Sequence, residues 1–120
     1  MRFNQFLEID VYEMIECINH DYYVTLPESI LTIEDMQEAG AMLSKLINGY
    51  TFLSNLAEYA KILVREKKGK ISKEEHQSLM GKRDVIVQAA ETVKMQYSAL
   101  SRMITVKQEI NRELQMSDVR

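Results

Sequence analysis

The segment Lys67-Lys68-Gly69-Lys70-Ile71-Ser72 separates the two longest helical segments of this sequence. Gly69 can adopt the positive φ that ends many helices, and the lysines before it suit the negative end of a helix dipole. Ser72 followed by Glu75 has the spacing of a capping box, which opens a helix. These six residues therefore predict a turn at which one helix ends, the next begins and the chain reverses direction.

Both flanking segments carry an apolar stripe at the spacing of a helix that packs lengthwise on another helix. The upstream stripe consists of Met36, Ala39, Leu43, Leu46, Tyr50, Leu53, Ala57, Ala60 and Val64. The downstream stripe consists of Ile86, Ala90, Val93, Tyr97, Leu100 and Ile104. In an antiparallel pair the partner numbers sum to about 139, which places Leu53 opposite Ile86. We predict an upstream helix over 32–68 and a downstream helix over 73–116.

The first 31 residues are predicted to form an amphipathic helix followed by an irregular loop. Apolar residues recur at helical spacing at Phe3, Leu7, Val11, Met14 and Ile18. This period favours a helix from about Gln5 to Asn19 over a short strand at 5–11. Thr32 followed by Asp35 is a plausible cap for the upstream helix, and a short helical turn is expected at 28–31.

The predicted fold is a single all-α domain, a long antiparallel helical hairpin with the N-terminal helix packed at its open end. The downstream helix extends past the start of the upstream helix, and its apolar stripe shifts there to Met103, Val106, Ile110 and Leu114. The N-terminal helix is the natural partner of that face. The upstream helix carries further apolar residues outside its stripe, and no other helix is long enough to cover them. We expect a second chain or another protein to cover this second face.

Charge is distributed unevenly, although the net charge is only −3. Residues 1–40 contain one basic and nine acidic residues, whereas residues 41–120 contain 14 basic and nine acidic residues. Positive charge concentrates in a basic tip at the turn, which consists of Lys61, Arg65, Lys67, Lys68, Lys70 and Lys73, with Lys82 and Arg83 beyond it. Such a cluster is typical of a solvated helix junction, and contact with an acidic protein or with nucleic-acid phosphates is the functional alternative.

No residue pattern predicts catalysis, a metal site or a bound cofactor. His20-Asp21 is the only adjacent His–Asp pair, and His76 is the only other histidine that could complete a metal site. Cys17 lies near the apolar side of its helix, where cysteine usually behaves as a small hydrophobic residue. The four glycines are dispersed, so no phosphate-binding loop is predicted. We predict a protein that is not an enzyme.

The sequence predicts a cytoplasmic protein without a membrane anchor. It has one cysteine, which excludes an intramolecular disulfide. No apolar run reaches the roughly 18 residues of a membrane span, and acidic residues occupy the place of a signal-peptide core.

Residues 92–109, Thr-Val-Lys-Met-Gln-Tyr-Ser-Ala-Leu-Ser-Arg-Met-Ile-Thr-Val-Lys-Gln-Glu, resemble the helical tails of small accessory proteins of temperate phages. The size, acidity and lack of catalytic residues also resemble phage anti-defence proteins, including the kind that blocks defence-associated sirtuins. The resemblance implies a non-enzymatic inhibitor that acts in the host cytoplasm by binding a defence protein such as a Sir2-type NADase.

The partner-binding face is predicted to combine the acidic N-terminal third with apolar anchors, because charge steers encounter and a few buried residues carry most of the affinity. Asp21, Tyr22 and Tyr23 are the first candidates. The alternative is that one tyrosine packs under the loop and that Phe52, Tyr59 and Ile62 form the interface. Two other functions are kept: a nucleic-acid replication or recombination accessory that uses the basic tip, and an oligomeric structural protein.

Overall fold

The computed structural model describes residues 3–118, and these residues form four α-helices and no strand. The helices are α1 (Phe3–Glu8), α2 (Val11–Asp21), α3 (Ile33–Lys67) and α4 (Lys73–Asp118). The two long helices, α3 and α4, pack on each other as a hairpin in a molecule that measures 73 × 21 × 20 Å. The predicted all-α hairpin is confirmed.

The turn between α3 and α4 has the predicted glycine at positive φ and the predicted serine cap. Gly69 has a φ of 79°, and the Lys70 amide donates to the Lys67 carbonyl at 2.9 Å. The Ser72 hydroxyl accepts from the Glu75 amide at 3.1 Å and so caps the first turn of α4.

The start of α3 is held by a reciprocal cap. The Thr32 hydroxyl accepts from the Asp35 amide at 3.0 Å, and the Asp35 carboxylate accepts from the amides of Leu31 and Thr32. The backbone hydrogen bonds from Leu31 and Thr32, in that order of importance, lower the pKa of Asp35. The cap therefore stabilises the fold at pH values above the usual pKa of a carboxyl group, and this contribution is lost as the pH falls through the lowered pKa. The short helical turn predicted at 28–31 does not form, and α3 begins at Ile33, directly after the Thr32 cap.

The core lies along the seam between α3 and α4. The predicted stripes supply its fully buried centre: Leu46, Leu53, Ile86, Val93 and Leu100. Tyr50 was predicted in the seam but is exposed, whereas Gly49 beside it is buried. The ring of Tyr22 covers Gly49, since its Cδ1 would lie 3.0 Å from a Cβ at that position.

The N-terminal segment forms two helices where one was predicted over 5–19, and no strand forms at 5–11. The break falls at Ile9-Asp10. Asp10 has an extended backbone and its carboxylate accepts from the Tyr12 amide at 3.1 Å, so Asp10 caps α2 and separates it from α1.

The N-terminal helices do not pack at the open end of the hairpin, which corrects that part of the prediction. α1 packs on α3 and α2 packs on α4. The Lys82 ammonium group donates to the Leu7 carbonyl at 2.7 Å, which places α1 nearer the turn. Phe6 is fully buried there, as is Leu56 on α3. α1 thus covers Phe52 and Tyr59 on the second apolar face of α3, for which an external cover was expected.

The segment from Tyr22 to Thr32 has no helix and runs along the hairpin toward the open end. The Gln96 side chain holds it by two hydrogen bonds of 3.0 Å, one from the Val24 amide and one to the Val24 carbonyl. Ile30 then buries its side chain against the core. We call residues 22–32 the strap.

Candidate protein-binding surfaces

Three of the predicted partner-binding residues lie together in an aromatic cluster. Tyr22 stacks on Phe52 with ring centroids 5.8 Å apart and planes 3° apart. Phe6 approaches both rings edge-on, and Phe3 lies 5.5 Å from the rings of Phe52 and Tyr59. Burial raises the pKa of Tyr22 above its usual value. The cluster joins α1 and the strap to α3, which favours a packing role for Tyr22.

The other three predicted residues are dispersed. Asp21 is exposed at the end of α2, and Tyr23 is half-buried in a groove between α2 and α4. Ile62 is exposed on α3 toward the turn and takes no part in the aromatic cluster.

The outer side of α2 combines apolar side chains with negative charge, and we call it the acidic α2 face. It consists of Tyr12, Glu13, Ile15, Glu16 and Asn19, all exposed. Tyr12 is 75% exposed and Ile15 39% exposed, one helical turn apart. Residues 3–21 contain five acidic residues and neither lysine nor arginine.

An apolar groove adjoins the acidic α2 face. It has a volume of about 370 Å³ and is lined by Ile15, Ile18, Asn19, Tyr23, Asp84, Val85, Gln88 and Ala89. Sequence reasoning missed Tyr12 and Ile15 as candidates because they lie outside the stripe that ends at Met14 and Ile18. The sequence feature that could have identified them is the occurrence of two large apolar residues among acidic ones on one side of the helix.

A second apolar surface, the open-end patch, lies where α4 extends past α3. It consists of Leu31, Ile33, Val106, Ile110 and Leu114, which are 46–76% exposed. A groove of about 400 Å³ between the strap and α4 adjoins it, and Leu31, Val106 and Ile110 are in its wall. The sequence predicted this apolar face on α4, but the N-terminal helix does not cover it.

The basic tip is exposed at all six predicted residues, Lys61, Arg65, Lys67, Lys68, Lys70 and Lys73. Lys61 pairs with Glu58 at 3.0 Å, and the other five form no salt bridge with the described residues. Arg83 pairs with Asp84 at 3.0 Å, and Lys82 is bound to α1. The cations that face only solvent are therefore those closest to the turn.

The reactive side chains at the end of α2, those of Cys17 and His20, both contact the carboxylate of Asp21. The Cys17 thiol donates to Asp21 Oδ2 at 3.2 Å, and His20 Nδ1 lies 2.8 Å from Asp21 Oδ1. Burial and then this hydrogen bond raise the pKa of Cys17, which keeps the thiol protonated and weakly nucleophilic. His76 Nε2 lies 3.0 Å from the Val64 carbonyl and links α4 to α3. Among residues 3–118, no group of three His, Cys, Asp or Glu side chains is placed to hold a metal ion.

Within the described range, none of the helices has the length and hydropathy needed to cross a membrane. No protein-family model, curated protein or solved structure matches this chain.

Proposed function

We propose that this protein is a non-enzymatic inhibitor that binds a basic surface of a partner protein through its acidic α2 face. The observation that supports this proposal is the position of Tyr12 and Ile15, exposed one turn apart in a segment with neither lysine nor arginine, with Ile15 in the wall of an apolar groove. Partly exposed aromatic and aliphatic residues beside a groove are the usual anchors of an interface.

The charge of this face favours one class of partner. Glu13 and Glu16 flank the two apolar anchors, and neither forms a salt bridge with the described residues. Complementary charge raises the rate of encounter and rejects partners of like charge, while desolvated apolar contacts slow dissociation. A partner with lysine or arginine around an apolar anchor therefore fits best.

The resemblance of this chain to phage anti-defence proteins in size, acidity and absence of catalytic residues supports a target class. It makes a defence-associated sirtuin the first partner to test, with inhibition of NAD⁺ consumption as the activity. The inhibitor would act by occupying its target, which requires no reactive group of its own.

We expect the double variant Tyr12→Ala/Ile15→Asp to bind the purified sirtuin at least about 100-fold more weakly than the wild type, because loss of two anchors costs roughly 3 kcal/mol or more. Calorimetry measures the affinity, and an NAD⁺ consumption assay measures inhibition. The matched control is Ile47→Asp, which changes an exposed apolar residue of α3. Equal inhibition by the wild type and the double variant would exclude the acidic α2 face as the site. If the wild type neither binds nor inhibits, this target is wrong.

The basic tip supports a second candidate function, binding to nucleic acid as a replication or recombination accessory. Five exposed cations without a carboxylate partner are available for phosphate contacts. The tip has no exposed aromatic side chain among its residues, so the contacts would be independent of base sequence.

For this second function we expect affinity for single-stranded DNA to fall as salt concentration rises. The slope of log affinity against log salt concentration should reach about −3.5 if all five cations contact phosphates, and should be shallower if fewer do. Replacing Lys67, Lys68 and Lys70 together with glutamine should reduce the slope by about two units. Fluorescence anisotropy over a salt series measures both values, and Lys94→Gln on the exposed side of α4 is the control. Absence of binding at low salt would remove this candidate.

A further inference from the structure

The open-end patch is an apolar surface of five side chains that the rest of the described chain leaves exposed. Lys107 and Asn111 lie beside the first turn of α3, and every side chain from 108 to 116 is exposed. The two N-terminal helices are engaged elsewhere, since α1 packs on α3 nearer the turn and α2 packs on α4.

The size of the patch is what an interface requires. Five aliphatic side chains that are 46–76% exposed amount to on the order of 500 Å², near the upper end of what monomeric proteins leave in water. Two such patches in contact would remove on the order of 1,000 Å² of apolar surface from water, and a polar rim brings this to the roughly 1,200 Å² of small specific interfaces.

The shape of this end is suited to a copy of itself. Ile110 and Leu114 form a ridge along the exposed part of α4, and the groove between the strap and α4 lies beside this ridge. A two-fold axis exchanges the two features, so the ridge of each copy can enter the groove of the other.

The charges at this end are also self-complementary. The strap side of this end consists of the strap and the start of α3, and its residues 22–38 contain four acidic residues and neither lysine nor arginine. The α4 side carries Arg102, Lys107 and Arg112 against Glu109 and Glu113. A two-fold arrangement places the α4 side of each copy on the strap side of the other, so the more basic side meets the more acidic side twice.

We infer that the open-end patch binds a second copy of this chain and forms a two-fold symmetric dimer. The contact uses the overhanging end of α4 and leaves the acidic α2 face open. The dimer therefore presents two acidic α2 faces, which raises the apparent affinity for any partner that displays two sites. The inference does not depend on the proposed inhibitory function.

Sedimentation equilibrium and light scattering on the purified full chain test the dimer, over concentrations from about 1 µM to about 1 mM, which span the affinities expected of a small interface. The mass should rise toward twice the chain mass of 14.0 kDa. Ile110→Asp should weaken association at least about 100-fold, because each substitution acts twice in a two-fold interface. Leu31→Asp, on the strap side of the groove, should have the same effect.

The control Ile47→Asp changes an equally exposed residue in the middle of α3 and should leave the dimer intact. Circular dichroism of each variant at low concentration checks that the helices are retained, which is expected because the substituted side chains are exposed. A constant monomer mass up to the highest concentration would overturn the inference. So would a trimer, a higher oligomer, or a dimer that Ile47→Asp weakens and Ile110→Asp does not.

Discussion

Phe6→Ala is expected to lower the free energy of unfolding by about 3–5 kcal/mol, the cost of truncating a buried aromatic side chain. Phe6 is fully buried although it belongs to a helix of only six residues. Its ring lies 5.9 Å from that of Phe52 and 6.4 Å from that of Tyr22. Its removal therefore leaves a cavity at the point where α1, α3 and the strap meet.

Urea unfolding followed by circular dichroism measures this effect. The control is Tyr12→Ala, which truncates an exposed aromatic residue and should change stability by less than about 0.5 kcal/mol. A loss below about 1 kcal/mol for Phe6→Ala would mean that α1 detaches before the hairpin unfolds, because a locally detached element contributes little to global stability.

The two adjacent tyrosines are expected to differ in what their removal costs. Tyr22→Ala should lower the free energy of unfolding by about 2–3 kcal/mol, less than a fully buried ring because Tyr22 is partly exposed. The Tyr22 ring lies directly against Gly49 on α3, and it stacks on the ring of Phe52. Tyr23→Ala should cost less than about 1 kcal/mol of stability and should weaken partner binding about tenfold or more, because Tyr23 lines the groove beside the acidic α2 face.

Thermal unfolding and partner affinity, measured on both single variants, separate these roles. Tyr22→Phe is the conservative control and should be close to the wild type in both measurements, since it keeps the stacked ring. If Tyr22→Ala unfolds like the wild type while its affinity falls, Tyr22 is an anchor. The aromatic cluster would then be part of the interface.

The three surfaces lie at separate places along an elongated molecule. The basic tip occupies the turn, the acidic α2 face adjoins the side of α4 near residues 84–89, and the open-end patch lies where α4 passes α3. A dimer through the open-end patch leaves the other two surfaces exposed on both copies. One chain can therefore combine self-association with binding to a partner.

The long hairpin could be predicted from the sequence because the interactions that determine it are local. Apolar residues at three- and four-residue spacing determine which side of each helix is buried, and the glycine and serine of the turn determine where the helices end. The cap formed by Thr32 and Asp35 is equally local, since all its atoms lie within four residues. The apolar character of the overhang followed from the same spacing.

Only the tertiary structure decided where the N-terminal third lies. Asp10 can either continue a helix or cap the next one, and the choice depends on whether α1 and α2 find separate helices to pack on. The sequence around Tyr22 is equally compatible with an interface position or a core position. Only the fold shows that its ring packs against Gly49. The binding faces depend on the same placement, because a side chain is free for a partner only if no distant segment covers it. Contacts between residues far apart in the chain carry no period in the sequence, so folding alone determined which apolar surfaces remained exposed.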